Sequence, residues 1–231
     1  MKKNSVNESG SNPCLTHLSC FDALTASQLE KVVNASTRHI VFNRGETICK
    51  QGVLAPSVIF LTSGFAKVYL EVDRNKQVIT HLVKSGDFIS FSAVFSEDAY
   101  KYSATALTDC DVCLIDKDQV RELLLENSDF GFRIISRNWD IENRLLDIIN
   151  NISYKHMPGR LATAILYLIE TGGKDIFSHI SRKDLAGFAN INLESTVKLL
   201  KEFEQDGIIS LERKDVRIIK SQEIRNISSK G

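Results

Sequence analysis

The chain has 231 residues, 43% of them hydrophobic and 25% charged, which is typical of a globular protein with one large or two ordinary domains. Lysine and arginine together number 29, as do aspartate and glutamate, so the overall charge does not indicate a polyanionic partner. The sequence has no run of eighteen apolar residues and no apolar leader after Met1. It therefore predicts a cytoplasmic protein without a membrane partner.

The first half of the chain alternates short apolar runs with glycines. Residues 1–22 are a polar segment containing two cysteines, and residues 24–36 predict a short helix capped by Thr25. Between residues 23 and 125, β-branched and aromatic runs separated by glycines predict an antiparallel β-roll. Its expected strands are residues 39–42, 58–61, 66–72, 77–82, 102–106 and 111–115.

Residues 126–155 predict one long helix, centred on 129–153, that dimerises the protein. Apolar residues recur there every seven positions, each followed four positions later by a second residue of the repeat. This spacing is typical of a two-helix coil. The alternative is that the helix packs on its own domain. The predicted dimer interface comprises Ile134, Asn138, Ile141, Leu145, Ile148 and Ile152.

Residues 156–231 follow the helix-breaking pair Pro158-Gly159 and predict a winged helix-turn-helix. Helices are expected at 160–170, 181–188 and 193–205, the second of them opened by a capping box of Ser181 and Asp184. Two strands follow at 208–211 and 216–219, joined by the charged turn 212–215. With the roll, this gives an α+β protein whose C-terminal domain binds DNA.

The second helix of this motif carries side chains suited to base edges. Glu194 accepts from cytosine, Lys198 donates to guanine and Val197 contacts a thymine methyl group, while hydroxyl and amide groups near the helix start suit phosphates. The alternative is that Glu194 and Lys198 form an i,i+4 ion pair on a solvated face. The predicted DNA contacts are Ser181, Arg182, Asn192, Leu193, Glu194, Ser195, Val197, Lys198 and Lys201.

Together, the roll, long helix and winged motif resemble the CRP/FNR family of transcription regulators. The resemblance runs from Cys14 to about Ile219 and rests on Arg44-Gly45-Glu46, Gly52, the segment 63–68, Gly86-Asp87, Pro158, the segment 160–162 and the segment 194–198. It implies a homodimer that binds a palindromic promoter site and contacts RNA polymerase. An enzyme is not indicated, because no Walker, dinucleotide, nucleophile-elbow or zinc-protease motif is present. A cyclic-nucleotide-binding module without direct promoter binding is the alternative, against which the helix-turn-helix argues.

The resemblance also implies an effector pocket in the roll. Nucleotide-binding members hold the ligand with a glutamate after the Gly-Asp turn and with an Arg-Ser pair. Here no glutamate follows the turn closely, Tyr102 replaces the arginine before Ser103, and the point charge of Lys101 does not reproduce a bidentate fork. Cyclic AMP is therefore disfavoured. The candidate pocket residues are Gly86, Asp87, Phe88, Lys101, Tyr102 and Ser103.

A second branch of the same family binds a [4Fe-4S] cluster through cysteines. Cys14, Cys20 and Cys113 resemble three of its four ligands, and Cys110 is the candidate fourth if both thiols point to one face of their strand. The alternatives are haem with His17 as a ligand, thiol redox chemistry, another small ligand, or cysteines that act as small buried hydrophobes.

Overall fold

The computed structural model describes residues 21–73, 76–95, 99–213 and 215–231. It contains the predicted β-roll, long helix and C-terminal helix-turn-helix with its wing. Across these ranges, no helix combines the length and apolar character that a membrane span requires.

Two antiparallel sheets form the roll, preceded by helix α1 (Ala26–Ala35). The sheet orders are β1-β7-β3 and β2-β6-β4-β5. Gly64 joins β3 to β4 at a φ of +92°, and a Cβ there would lie 2.4 Å from the carbonyl oxygen of Asp109, so only glycine fits this turn. The strands are β1 (Ser36–Phe42), β2 (Thr47–Cys49), β3 (Ser57–Ser63), β4 (Phe65–Asp73), β5 (Lys76–Lys84), β6 (Ser103–Ala106) and β7 (Cys110–Asp116).

Helices α2 (Lys117–Glu126) and α3 (Ser128–Tyr154) follow the roll, and only the second was predicted. Asn127 separates them and caps α3, because its side-chain oxygen accepts from the amide of Phe130 at 2.9 Å. Phe130 and Ile134 are buried in the roll core with Phe60. The first turns of α3 are thereby fixed to the roll, and its 27 residues extend about 40 Å.

The predicted dimer seam of α3 is wrong at two positions. Ile134 is 3% exposed and Ile148 is 6% exposed, so both are buried within their own chain. Asn138, Leu145 and Ile152 are exposed, and Ile141 is half-buried. A heptad repeat in the sequence does not distinguish a face that packs on the same chain from one that meets a partner.

The C-terminal domain packs three helices against a two-stranded wing, and a further helix closes it. α7 was not predicted, yet Ile224 at its centre is fully buried and Ser228 lies within 2.7 Å (Oγ to Oγ1) of Thr163 on α4. The elements are α4 (Met157–Gly172), α5 (Arg182–Ala189), α6 (Leu193–Gln205), β8 (Ile209–Glu212), β9 (Asp215–Ile218) and α7 (Ser221–Lys230).

The C-terminal domain docks on the face of the roll formed by β4 and β5. Tyr69, Ile79 and Leu82 of these strands belong to the same apolar core as the helices of the C-terminal domain. Two polar contacts reinforce this docking: Lys67 Nζ lies 2.5 Å from Asp184 Oδ1, and the amide of Leu82 donates to the hydroxyl of Tyr167 at 2.9 Å. The two domains therefore share one continuous core.

Candidate nucleic-acid interface and effector sites

Capping interactions fix the direction of the second helix of the motif. Ser181 and Asp184 form the predicted capping box at the start of α5. Asn190 ends that helix at a φ of +53°, a left-handed conformation that asparagine tolerates well. Asn192 then caps α6 by accepting from the amide of Ser195 at 2.7 Å. The turn is thus built from local hydrogen bonds that the sequence specifies.

Helix α6 has one buried and one exposed face. Thr196, Leu199, Leu200 and Phe203 pack into the domain. The opposite side forms one shallow, open surface, which we call the recognition face. It consists of Leu193, Glu194, Val197, Lys198 and Lys201, all of them predicted DNA contacts.

The charged groups of the recognition face are weakly engaged. Lys198 Nζ lies 3.8 Å from Glu202 Oε1, and the lysine side chain is 78% exposed. The alternative prediction paired Lys198 with Glu194, but Lys198 pairs with Glu202 instead. An exposed i,i+4 ion pair contributes only about 0.3–0.5 kcal/mol, so both Lys198 and Glu194 remain available to a ligand.

Two of the other predicted DNA contacts have partners within the protein. The hydroxyl of Ser181 donates to Asp184 Oδ2 at 2.5 Å, and Asp184 in turn binds Lys67 of the roll. Arg182 donates to the carbonyl oxygen of Arg213 in the wing at 3.3 Å. Ser181 therefore belongs to the domain junction, and Arg182 positions the wing relative to α5.

The wing contains an exposed cation that the sequence reasoning did not select. Arg213 adopts a left-handed φ of +55° in the turn between β8 and β9. Arg217 on β9 is exposed and pairs with Glu212 at 3.2 Å. The charged segment 212–215 was recognised as a turn, but sequence alone does not show on which side of the hairpin Arg217 lies.

The six predicted effector residues have two different sets of contacts. In the first, Arg137 of α3 donates to the carbonyl oxygen of Gly86 and lies 3.3 Å from Asp87. Burial raises the pKa of Asp87, although its hydrogen bond from Lys84 and the charge of Arg137 oppose that rise. Asp87 and Phe88 border a cavity of about 340 Å³ between β5, α3 and α4, which we call the junction cavity.

The second set, Lys101, Tyr102 and Ser103, leads into β6, whose first residue Ser103 is fully buried. Its hydroxyl donates to Glu71 Oε1 at 2.8 Å and accepts from the amide of Gln51 at 3.0 Å. The hydroxyl of Tyr102 lies 3.4 Å from that of Ser92, and burial raises the pKa of Tyr102 to about 12. Ser103, which matches the serine of the nucleotide-binding pattern, thus already donates its hydroxyl hydrogen to the carboxylate of Glu71.

The prediction that Cys110 and Cys113 share a face of their strand is wrong. They lie three positions apart on β7, and the structure buries them in different cores. The Cys110 thiol donates to the carbonyl oxygen of Phe65 at 3.2 Å, and burial raises its pKa. Cys113 is fully buried and disulfide-bonded, whereas a cluster needs thiolates.

The remaining proposed ligands, Cys14, Cys20 and His17, lie outside the described residues. Within the part of the chain that the structure describes, no group of three or more histidine, cysteine, aspartate or glutamate side chains is arranged to hold a metal ion.

Two family models match most of the folded chain. Residues 39–127 match the cyclic nucleotide-binding domain, and residues 159–227 match the Crp-like helix-turn-helix domain. The first range runs from within β1 to the end of α2, and the second contains the motif and the wing. Because the second match includes the recognition face, a regulatory module without a DNA-binding domain is not favoured.

Curated relatives and solved structures agree with this assignment. The chain is 24% identical over 178 residues to the cAMP-activated global transcriptional regulator CRP of Salmonella typhimurium, covering 74% of this chain and 84% of the relative. It is 25% identical over 211 residues to the transcriptional activator protein anr of Pseudomonas aeruginosa, covering 87% and 85%. Its fold is similar to that of FixK2 from Bradyrhizobium japonicum, with a TM-score of 0.73, 16% identity and coverage of 82% of this chain and 96% of the other.

Proposed function

Because the chain belongs to the CRP/FNR family of transcription regulators, we propose that it binds promoter DNA through the recognition face of α6. The observation that carries this proposal is the exposure of Glu194, Val197 and Lys198 on one open surface, while the opposite side of the helix is buried. These side chains offer an acceptor, a methyl contact and a donor to the major groove. The family consists of regulators rather than enzymes, so no catalytic residue is assigned.

Selection from randomised double-stranded DNA, followed by fluorescence anisotropy at a stated salt concentration, tests this proposal. We expect a palindromic site whose half-sites lie about 34 Å apart. Lys198→Ala should weaken binding by about 1–3 kcal/mol and relax preference at one base pair. Lys50→Ala, which removes an exposed charge from the roll, is the control. Equal weakening on all sequences would assign Lys198 to a phosphate, and failure to select any site would refute the proposal.

We propose that the dimer forms through an exposed stripe of α3 that the sequence reasoning did not select. Phe132, Trp139 and Leu146 recur every seven residues, and Ile135 and Ile149 lie beside them, all between 57% and 71% exposed. Seven-residue spacing of large apolar side chains is typical of parallel two-helix coils. An unpartnered stripe of this kind is unfavourable in water, so a second copy of α3 is its expected partner.

For the effector, the contacts of β6 support a ligand other than a cyclic nucleotide. The hydroxyl of Ser103, which would have to donate to a nucleotide phosphate, already donates to Glu71, and the carboxylate and a phosphate close together would repel each other. Cyclic AMP at saturating concentration is therefore expected to leave DNA affinity unchanged. A rise in affinity on adding cyclic AMP would contradict this.

A [4Fe-4S] cluster held by Cys14, Cys20 and Cys113 is a separate proposal about the input signal, and it requires that the disulfide bond of Cys113 first be reduced to give the thiolate. Cys110 is not part of it, because its thiol is buried on the other side of β7. Protein purified without oxygen should show a broad band near 400 nm if a cluster is present and a sharp Soret band if haem is present. Cys110→Ser should keep the cluster spectrum, whereas Cys20→Ser should lose it.

RNA polymerase is the expected partner if the protein activates transcription. The roll exposes Val53, Leu54 and Phe95, three large apolar side chains remote in sequence from the recognition face. Transcription from the selected site with purified polymerase tests this contact. A Phe95→Ser variant that keeps DNA affinity but loses activation would support it.

A further inference from the structure

The junction cavity is separate from the recognition face and shares no residue with it. Its walls come from three elements: β5 of the roll, the dimerisation helix α3, and α4 of the DNA-binding domain. Leu82, Val83, Phe88 and Ile141 make most of the lining apolar. A volume of about 340 Å³ is at the lower end of the range for small-molecule sites.

Arg144 is the unusual group in this cavity. The residue is 7% exposed, and its Nε is buried without a hydrogen-bond partner among the described residues. Its guanidinium carbon lies 3.8 Å from the centre of the Tyr167 ring. Burial lowers the pKa of Arg144, while Tyr167 and Asp147 oppose that shift. An arginine guanidinium remains protonated in proteins because its ordinary pKa lies far above neutral pH. A buried cation with an unsatisfied donor is costly unless an anion accompanies it.

The neighbouring groups do not provide that anion. Asp87 is paired with Arg137, and Glu170 lies 4.0 Å from Arg225 at the surface. Asp140, which also lines the cavity, and Asp147, whose charge raises the pKa of Arg144, are exposed on α3, and among the described residues neither forms an ion pair with Arg144. Two further basic groups face the cavity: Lys84 donates to the carbonyl oxygen of Thr171, and burial lowers the pKa of His81 to about 4, so that it is neutral. The buried guanidinium of Arg144 therefore keeps one hydrogen-bond donor, Nε, that none of these groups satisfies.

We propose that the junction cavity binds a small carboxylate with an apolar body, whose carboxylate accepts hydrogen bonds from the guanidinium of Arg144. The apolar body contacts Leu82, Phe88 and Ile141. The effect of this ligand on DNA binding rests on the proposed function, whereas the binding of the ligand itself does not. A ligand that touches the roll, α3 and α4 together stabilises the docked arrangement of the DNA-binding domain and so acts as an effector.

Isothermal titration calorimetry of the full chain with benzoate and benzamide tests the proposal without DNA. Benzoate should bind at least about tenfold more tightly than benzamide, its uncharged analogue, because charge-assisted hydrogen bonds are the stronger kind. Arg144→Met should weaken benzoate binding about 10- to 100-fold. Arg133→Met, on the same helix but exposed and outside the cavity, should bind benzoate as the wild type does.

A second variant and a second measurement test the proposal even if Arg144→Met does not fold. Ile141→Phe fills the cavity while keeping Arg144, and it should also weaken benzoate binding at least about tenfold. In the wild type, benzoate should slow hydrogen exchange at the amide of Leu82, which donates to Tyr167 across the junction.

Three results would overturn the inference. These are equal affinity for benzoate and benzamide, unchanged benzoate binding by folded Arg144→Met, and no binding of benzoate or hexanoate with a Kd below about 10 mM. In any of these cases, Arg144 serves only to stack α3 on α4. Benzoate binding by a protein that selects no DNA site would instead refute the proposed function and leave this inference standing.

Discussion

Replacing Lys67 by methionine breaks the ion pair that joins the roll to the DNA-binding domain. Lys67 Nζ and Asp184 Oδ1 are 2.5 Å apart, and their side chains are only 15% and 13% exposed. Burial would raise the pKa of Asp184, but hydrogen bonds from Lys67 and Ser181 outweigh burial and hold it below its usual value. The pair therefore favours the charged carboxylate and stabilises the docked domains.

The magnitude follows from this burial. Removing one partner of a fully buried pair costs about 3–5 kcal/mol. Asp184 keeps two hydrogen bonds to Ser181, so we expect Lys67→Met to lower the free energy of unfolding by about 2–3 kcal/mol. Because the pKa of Asp184 is lowered in the folded state, the pair contributes fully above about pH 4 and less as the pH falls further.

A double-mutant cycle isolates the interaction. Lys67→Met, Asp184→Asn and the double variant are unfolded in urea at one protein concentration, and the coupling energy should be about 1–3 kcal/mol. Lys31 and Glu126 form a comparable pair whose side chains are 56% and 48% exposed. A cycle of Lys31→Met with Glu126→Gln is the control and should give less than about 1 kcal/mol.

Equal coupling energies in the two cycles would refute the stabilising role of the Lys67–Asp184 pair. That result would mean that water screens the Lys67–Asp184 pair as effectively as a surface pair. A coupling energy that does not decrease as the pH falls below about 4 would contradict the assignment to the ionised carboxylate of Asp184.

Three further predictions concern the dimer, protonation and docking. Trp139→Glu should convert the dimer to a monomer in analytical ultracentrifugation, while Val53→Glu, which charges an exposed apolar site on the roll, should not; an unchanged dimer would refute the α3 stripe. Burial and the charge of Arg144 lower the pKa of His81 to about 4. The free energy of unfolding in urea should therefore fall by up to about 3 kcal/mol as the pH falls from about 6.5 towards 4, and an unchanged pH profile in His81→Gln would contradict this. A Cβ on Gly187 would lie 2.7 Å from Ile79 Cδ1, so Gly187→Leu should destabilise the docked domains by about 1–3 kcal/mol, and adding Ile79→Ala should restore part of that loss if the clash is the cause.

Local patterns predicted most of the secondary structure. The long helix was predicted within two residues of its observed ends and α6 at its observed ends, and the capping box at Ser181 was correct because its hydrogen bonds involve residues three apart. Helices α2 and α7 were missed. Each has ten residues, which is too short for a helix to be stable alone in water. They become stable by packing on neighbouring elements, as Ile224 of α7 does against α4.

Placement of the effector and metal residues required the fold. Cys110 and Cys113 lie three residues apart on β7, and an odd spacing places two side chains on opposite faces of a strand. The two cysteines are therefore buried in different cores. The contacts of Ser103 with Glu71 and Gln51 join residues 32 and 52 positions away. The sequence did not single out Arg144, because its burial depends on Tyr167 of another domain.

The sequence by itself determined the two-domain order, the long helix and the chemistry of the recognition face. Each of these depends on spacing within one helix or one turn, where neighbouring side chains are set by the helical period. Only the tertiary structure decided which face of α3 is free, because both Ile134 and Trp139 belong to repeats of seven. The docking of the roll buries the first and leaves the second exposed, and that choice depends on contacts between distant parts of the chain.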